Sequence, residues 1–188
     1  MVNLIGNYSL YIALFASIVL IFQSSNSIRN KSKNLNSKIF SALSVQSLMV
    51  LISFFSLIYA FIISDFSNQT VYNNSHTTKP LFYKISGSWG NHEGSLLLWL
   101  LVLTIFIFIF FISSKKLLNK YRILTVLFQE LIIIGFLLFI LFTSNPFLHL
   151  FPIPKEGTGL NPILQDPALA IHPPILYLGY VGTSIIFS

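Results

Sequence analysis

The chain has 188 residues, of which 54% are hydrophobic, 15% aromatic and 9% charged. A soluble domain carries about 25% charged residues, so a water-soluble globule is excluded, and the absence of cysteine excludes a disulfide scaffold, a thiolate metal site and a Cys-x-x-Cys redox pair. The net charge of +6, from 11 Lys+Arg against 5 Asp+Glu, is read first as membrane topology and only then as affinity for nucleic acid.

Phe (19), Ile (26) and Asn (13) are abundant and Ala (6) is scarce, the bias of an AT-rich coding sequence such as an organelle or reduced bacterial genome carries. The chain opens on an apolar segment with no Arg-rich, Ser-rich presequence ahead of it. Both features fit a protein made inside an organelle or a bacterium.

Four stretches are long and apolar enough to cross a bilayer, at about residues 4–22, 39–63, 95–112 and 123–143. At ~1.5 Å rise per residue they reach roughly 27–38 Å, against a hydrocarbon core of about 30 Å. A fifth begins near Pro173 and is still apolar at Ser188, so the expected architecture is all-α: four full transmembrane helices plus a fifth truncated at the C-terminus, in one membrane domain. An odd span of this kind points to a continuation on another polypeptide.

The loops set the orientation. Arg29, Lys31, Lys33 and Lys38 lie between spans one and two, and Lys115, Lys116, Lys120 and Arg122 between spans three and four. The positive-inside rule places these loops in the cytoplasm or matrix, and topology explains them without nucleic acid. The N-terminus and the loops 64–94 and 144–172 then face the periplasm or intermembrane space, with His76, His92, His149 and His172 on or beside that side. Seven of the eight prolines fall between Pro146 and Pro174, which predicts an outer loop ordered by fixed φ angles and not by helix.

Three stretches carry groups capable of chemistry. In Trp89-Gly90-Asn91-His92-Glu93-Gly94-Ser95-Leu96-Leu97-Leu98-Trp99, helix initiation is expected at Gly94 or Ser95, with Glu93 a favourable anion at its N-terminus. The two tryptophans read as depth anchors, Trp99 about one turn deeper than Trp89. A second reading makes His92 and Glu93, with Trp89 and Trp99, the rim of a ligand site. In Asp166-Pro167-Ala168-Leu169-Ala170-Ile171-His172-Pro173-Pro174, Pro173 biases His172 toward extended backbone, and both prolines suit a first helical turn. His172 then stands at the outer mouth of span five, either as an interfacial end cap or as a ligand of the kind haem iron takes. His76 and His149 read as solvated. The third stretch is Glu130, inside span four, where an acid is a functional hypothesis by default. An inter-helix hydrogen bond is the preferred reading, ahead of a proton relay.

Several of these strings resemble the signature of the CcmF family, the cytochrome c haem lyases of the Ccm (System I) maturation pathway. They are Trp89-Gly90-Asn91-His92-Glu93-Gly94-Ser95-Leu96-Leu97-Leu98-Trp99, the stretch from Gly135 to Phe147, Glu156-Gly157, Leu160-Asn161-Pro162, Leu164-Gln165-Asp166-Pro167, His172-Pro173-Pro174 and Tyr177-x-Gly179-Tyr180-Val181-Gly182. Glu130 is not part of that pattern. The resemblance implies a subunit that accepts haem from the haem chaperone CcmE and helps attach it to apocytochrome c on the outer face of the membrane. It implies His172 as an axial ligand of the haem iron. It also implies partners: further CcmF-like chains carrying a Trp-rich loop, and a thiol-handling CcmH-like protein. This chain ends before that Trp-rich loop, so no permanent haem is expected in it alone. The expected location is the mitochondrial inner membrane, where split versions of the family occur, or the bacterial plasma membrane. Two rival readings are a non-catalytic helical subunit of a respiratory complex and, more weakly, a transporter using Glu130 and His92.

Overall fold

The computed structural model describes residues 1–30, 35–159, 165–186 and 188; the stretch from Leu160 through Leu164, and Lys31 and Lys33, lie outside them. Five long helices dominate: α1 (Val2–Asn30), α2 (Leu35–Ile62), α5 (His92–Ser113), α6 (Asn119–Phe142) and α7 (Pro167–Ile186), with short α3 (Gln69–Asn74) and α4 (Leu81–Gly87) between α2 and α5. All five are long and apolar enough to span a membrane. In hydrocarbon a backbone must satisfy its own hydrogen bonds, which is why apolar runs this long become helices. The fifth span differs from expectation. It is a 20-residue helix that begins at Pro167, not a shorter one from Pro173.

α1, α2, α5 and α6 close into a four-helix bundle, each helix antiparallel to its two neighbours, and α7 lies along α5 and α6. Large side chains such as Phe15 (68% exposed), Phe22 (71%) and Phe142 (77%) point outward, the surface of a bundle that meets lipid or further apolar helices. Since lipid is as apolar as the core, polar contacts and close packing hold the helices together. Ser47 Oγ donates to the Thr104 carbonyl across α2 and α5 at 3.0 Å. Gln129 Nε2 donates to Ser184 and Ser188 Oγ across α6 and α7. Glu130 Oε2 accepts from Gln46 Nε2 at 2.7 Å across α6 and α2, so the preferred inter-helix bond is present, within this chain.

One end of the bundle gathers the exposed Arg29, Lys38, Lys115, Lys116 and Lys120, and Asn36 donates to Asn119 there at 2.9 Å. Arg122 departs from the loop role expected of it. It lies in the first turn of α6, 9% exposed, its Nε and a terminal nitrogen both donating to the Phe111 carbonyl near the end of α5, with the guanidinium 3.6 Å above the Phe111 ring. The carbonyls that end a helix lack internal partners, and this arginine supplies one.

At the opposite end, the segments before α5 and before α7 are stitched together. The Gln69 amide donates to the Leu148 carbonyl and the Leu150 amide to the Ser67 carbonyl; Asn68 Nδ2 donates to Asn3 Oδ1 and the Pro146 carbonyl, both at 2.9 Å. Residues 143–159 contain no helix, as their prolines predict, but the expectation fails from Pro167 on: Pro167, Pro173 and Pro174 lie in α7, so the outer loop is helical over its last part.

Candidate functional site at the histidine-bearing end

The site is built on the turn that launches α5. Asn91 is the N-cap: its Oδ1 accepts the Gly94 amide at 2.7 Å and its Nδ2 donates to the Gly87 carbonyl at 2.6 Å. The helix therefore starts at His92, before the expected Gly94 or Ser95, because the Asn91 side chain and not Ser95 meets the orphan amide. Glu93 falls in the first turn, favourable against the helix dipole. A Cβ on Gly94 would stand 1.6 Å from the Ser88 carbonyl oxygen, so only glycine lets the turn fold back this tightly.

Trp89, in the same turn, stacks on Phe54 of α2 with ring centroids 6.5 Å apart. Its indole Nε1 donates to the Ala170 carbonyl of α7 at 2.8 Å. In a helix that carbonyl belongs to the amide of residue 174, and residue 174 is Pro, which has none. Trp89 thus fills the gap that the Pro-Pro pair opens in α7. Upstream, Asp166 Oδ1 accepts the amides of Ala168 (2.8 Å) and Leu169 (3.1 Å), and Pro167 occupies the first helical position, where no amide is needed. Asp166-Pro167 was the legible start signal; Pro173-Pro174 instead lie inside the helix.

Trp99 is the eighth residue of α5, about two turns below Trp89's end of the helix and not one. Its ring lies between Phe136 of α6 (5.5 Å) and Tyr177 of α7 (5.3 Å). The exposed His92 meets Phe139 edge-on at 6.3 Å. Ala170, Tyr177 and Val181 thus mark the face of α7 that packs inward.

His172 is the sixth residue of α7, helical where extended backbone was expected. Two residues past Ala170, it lies about 200° around the helix, on the face turned away from α5. It caps an open groove of about 430 Å³ with Ile175, Leu176, Gly179, Tyr180 and Thr183. Trp89, His92, Glu93 and Trp99 do not line that groove: Trp89 and Trp99 meet the opposite face of α7, and His92 stands against Phe139 of α6. Among the described residues the His172 ring makes no hydrogen bond, and no group of three or more His, Cys, Asp or Glu side chains could hold a metal ion. Only 11% of the apolar stretch of α7 is buried, against 39–50% in the other spans, so this face is uncovered.

His149 is exposed. His76 is not simply solvated: its Nδ1 bonds Thr78 Oγ1 at 2.9 Å, and its Nε2 lies 3.8 Å from Glu156 Oε1. Thr77 donates to Glu156 through its hydroxyl (2.6 Å) and its amide (3.0 Å), and these bonds, helped by the Gly157 amide and the His76 ring, bring the exposed carboxyl down to about 2. A depressed carboxyl stabilises the folded form above its ordinary value of 4.5 and loses that contribution as pH falls toward about 2. Thr77→Val should therefore shift the Glu156 ionisation, read by carboxyl NMR, back toward 4.5, and unfasten the 76–78 turn from the 156–158 segment.

The comparisons with known proteins fit this architecture. Residues 89–188 match the model of the family described as cytochrome C assembly protein. The chain is 45% identical over 184 residues to the cytochrome c-type biogenesis protein CycK of Rhizobium meliloti, covering 98% of this chain and 27% of that protein. It is 40% identical to the cytochrome c-type biogenesis protein CcmF of Haemophilus influenzae, covering 100% of this chain and 29% of that one. A solved structure titled Cytochrome c Heme Lyase CcmF superposes with a TM-score of 0.83 at 25% identity, over 98% of this chain and 29% of that one. The chain spans less than a third of the relatives it matches. With the match over residues 89–188, more than half of its length, the chain is a member of the cytochrome c assembly protein family.

Proposed function

We propose that the chain forms the first part of a cytochrome c haem lyase and offers His172 to the iron of haem on its way to apocytochrome c. The observation that carries this reading is the uncovered outer face of α7, where His172 stands with an unpaired ring above an apolar groove floored by Gly179. An imidazole nitrogen is a donor haem iron accepts, and the mainly apolar helix face below it, left shallow at Gly179, suits one side of a flat macrocycle. Joining haem to cysteine thiols needs reduced iron, reduced thiols and a correctly turned porphyrin; this chain's residues serve only the last. Trp89 holds α7, α7 aims His172, and the missing wall comes from companion sequence. That sequence would correspond to the part of the relatives this chain does not match. It would carry the Trp-rich loop and meet the haem chaperone CcmE and the CcmH-like thiol protein.

The end bearing the histidines then faces the periplasm or the intermembrane space, with the lysine-rich end inside. The named relatives are bacterial; the AT-rich composition favours the mitochondrial inner membrane for this chain. The test is to isolate the chain from its own membranes in mild detergent, identify the copurifying chains and record the visible spectrum. The expected result is a haem Soret band, lost or shifted in His172→Ala with the complex intact. An unchanged band removes the ligand role. A haem-free complex of respiratory subunits replaces the lyase reading with a structural one.

A further inference from the structure

We propose that Glu130 is a proton-binding site in the membrane interior, supplied by water from the lysine-rich end of the bundle. Glu130 is 0% exposed, as are its partners Gln46 and Ser17 on α2 and α1. Gln46 Nε2 has two hydrogens, one directed to Ser17 Oγ at 2.5 Å and one to Glu130 Oε2 at 2.7 Å. Gln46 Oε1 and Glu130 Oε1 are then both buried acceptors with no donor. Among the described residues Glu130 makes no ion pair. The charged groups of the packed helices are Arg29 on α1, Lys38 on α2, Glu93 on α5, and Lys120 and Arg122 on α6. All are near helix ends, and Arg122 is already bonded to the Phe111 carbonyl. An isolated carboxylate in such a medium is prohibitively costly. A proton held on Glu130 Oε1 turns that oxygen into a donor, and one water that accepts its hydrogen bond and donates to Gln46 Oε1 would satisfy both orphan oxygens.

The same orphan pattern continues toward the lysine-rich end and marks the water route. Ser24 and Ser27, 0% and 3% exposed, have hydroxyls without partners, and so does Gln23 Oε1. Ser24 follows Ser17 by seven residues, two turns of α1, on the same face. Among the described residues, three of the ten partnerless buried side-chain atoms, Gln23 Oε1, Ser24 Oγ and Ser27 Oγ, thus lie on α1 between Glu130 and that end. In hydrocarbon each is costly unless hydrated, and buried water settles where several polar groups converge. Buried apolar side chains flank the site on both sides: Leu20, Leu43, Ile123 and Val126, 0–1% exposed, toward the lysine-rich end, and Leu10, Ala13, Val50, Leu57, Ile133, Leu137 and Ile140, 0% exposed, toward the histidine-bearing end. The difference lies in the partnerless polar atoms of these helices, Gln23 Oε1, Ser24 Oγ and Ser27 Oγ on the first side against Ser53 Oγ on the second; it favours water from the lysine-rich side and is independent of any role of His172 toward haem.

The natural sequence has no cysteine, which gives a silent background for the test. Single-cysteine variants Ser24→Cys and Ser27→Cys, in the chain reconstituted in vesicles, are exposed to silver ion and then alkylated after denaturation. The control is Ile18→Cys, on the lipid-facing side of α1 (54% exposed). The expected result is that silver blocks positions 24 and 27 at least tenfold faster than position 18. In parallel, infrared spectra should show the carbonyl stretch of a protonated carboxylic acid that Glu130→Gln removes and that shifts promptly in D2O. Absence of that band in the unmodified chain overturns the proposal, because the acid is then ionised. A band that does not exchange, or a Ser24→Cys as unreactive as Ile18→Cys, also overturns it, because no water then reaches the site.

Discussion

Trp89→Phe should loosen α7 from the bundle, and Pro174→Ala should restore it. Phe keeps the ring that packs on Phe54 but removes the one donor that meets the Ala170 carbonyl among the described residues, a group that is buried with its residue at 4% exposure. Leaving a buried acceptor unpaired costs about 1–3 kcal/mol. The loss should concentrate in the first half of α7, where the Pro-Pro pair already interrupts the helical ladder. Amide exchange should therefore accelerate across 168–177 while α1, α2 and α6 stay protected. In the double variant, Ala at 174 brings back the amide that a helix itself would use for Ala170, so protection should return without the indole. If Trp89→Phe leaves α7 exchange unchanged, the indole bond does not hold the helix. If Pro174→Ala fails to rescue, the loss came from packing and not from the carbonyl.

Gly94→Ala should be the most damaging single methyl in the chain. The added carbon would meet the Ser88 carbonyl oxygen at 1.6 Å, and that neighbour is backbone, unable to rotate away. Overpacking of this kind costs typically ~1–3 kcal/mol and sometimes more, and displacement of the turn would also pull the Gly94 amide off Asn91 Oδ1, a cap worth about 1 kcal/mol. The melting midpoint in a fixed detergent should fall clearly further than in Asn91→Ala, which loses the cap alone. Gly135→Ala is the matched control: nothing lies within 4 Å of its added carbon, and Ala is favoured over Gly inside a helix by about 1 kcal/mol, so it should be neutral or stabilising. Equal effects of the two glycine substitutions would refute the close-approach argument.

Both predictions rest on elements that were only partly legible beforehand. The segment around Trp89 and the one around His172 each stood out by residue type, yet their relation did not. An indole donor and a proline-made vacancy are separated by 81 residues, and no local pattern links them. The start of α7 was misplaced by six residues because Pro173-Pro174 also suits a first turn; Asp166-Pro167 supplies the better cap and first position. That shift turns His172 from a residue ahead of a helix into one on a helix face, and the face is fixed by where Ala170 docks. Trp89 and Trp99 meet the inner face of α7 while His172 stands on its outer face, a relation that no spacing along the chain reports.

The sequence by itself determined that the chain is a bundle of membrane-spanning helices with a lysine-rich end and a histidine-bearing end. Composition and apolar run length are local quantities, and the bilayer's thickness converts them directly into helices long enough to span it. The structure alone decided which polar groups meet: Gln46 with Glu130 across 84 residues, Trp89 with Ala170, Arg122 with Phe111. Those pairings depend on the rotation and depth of each helix against its neighbours. In an apolar solvent these are set by close packing and by the need of every buried donor and acceptor for a partner, and neither is written in any one stretch of chain.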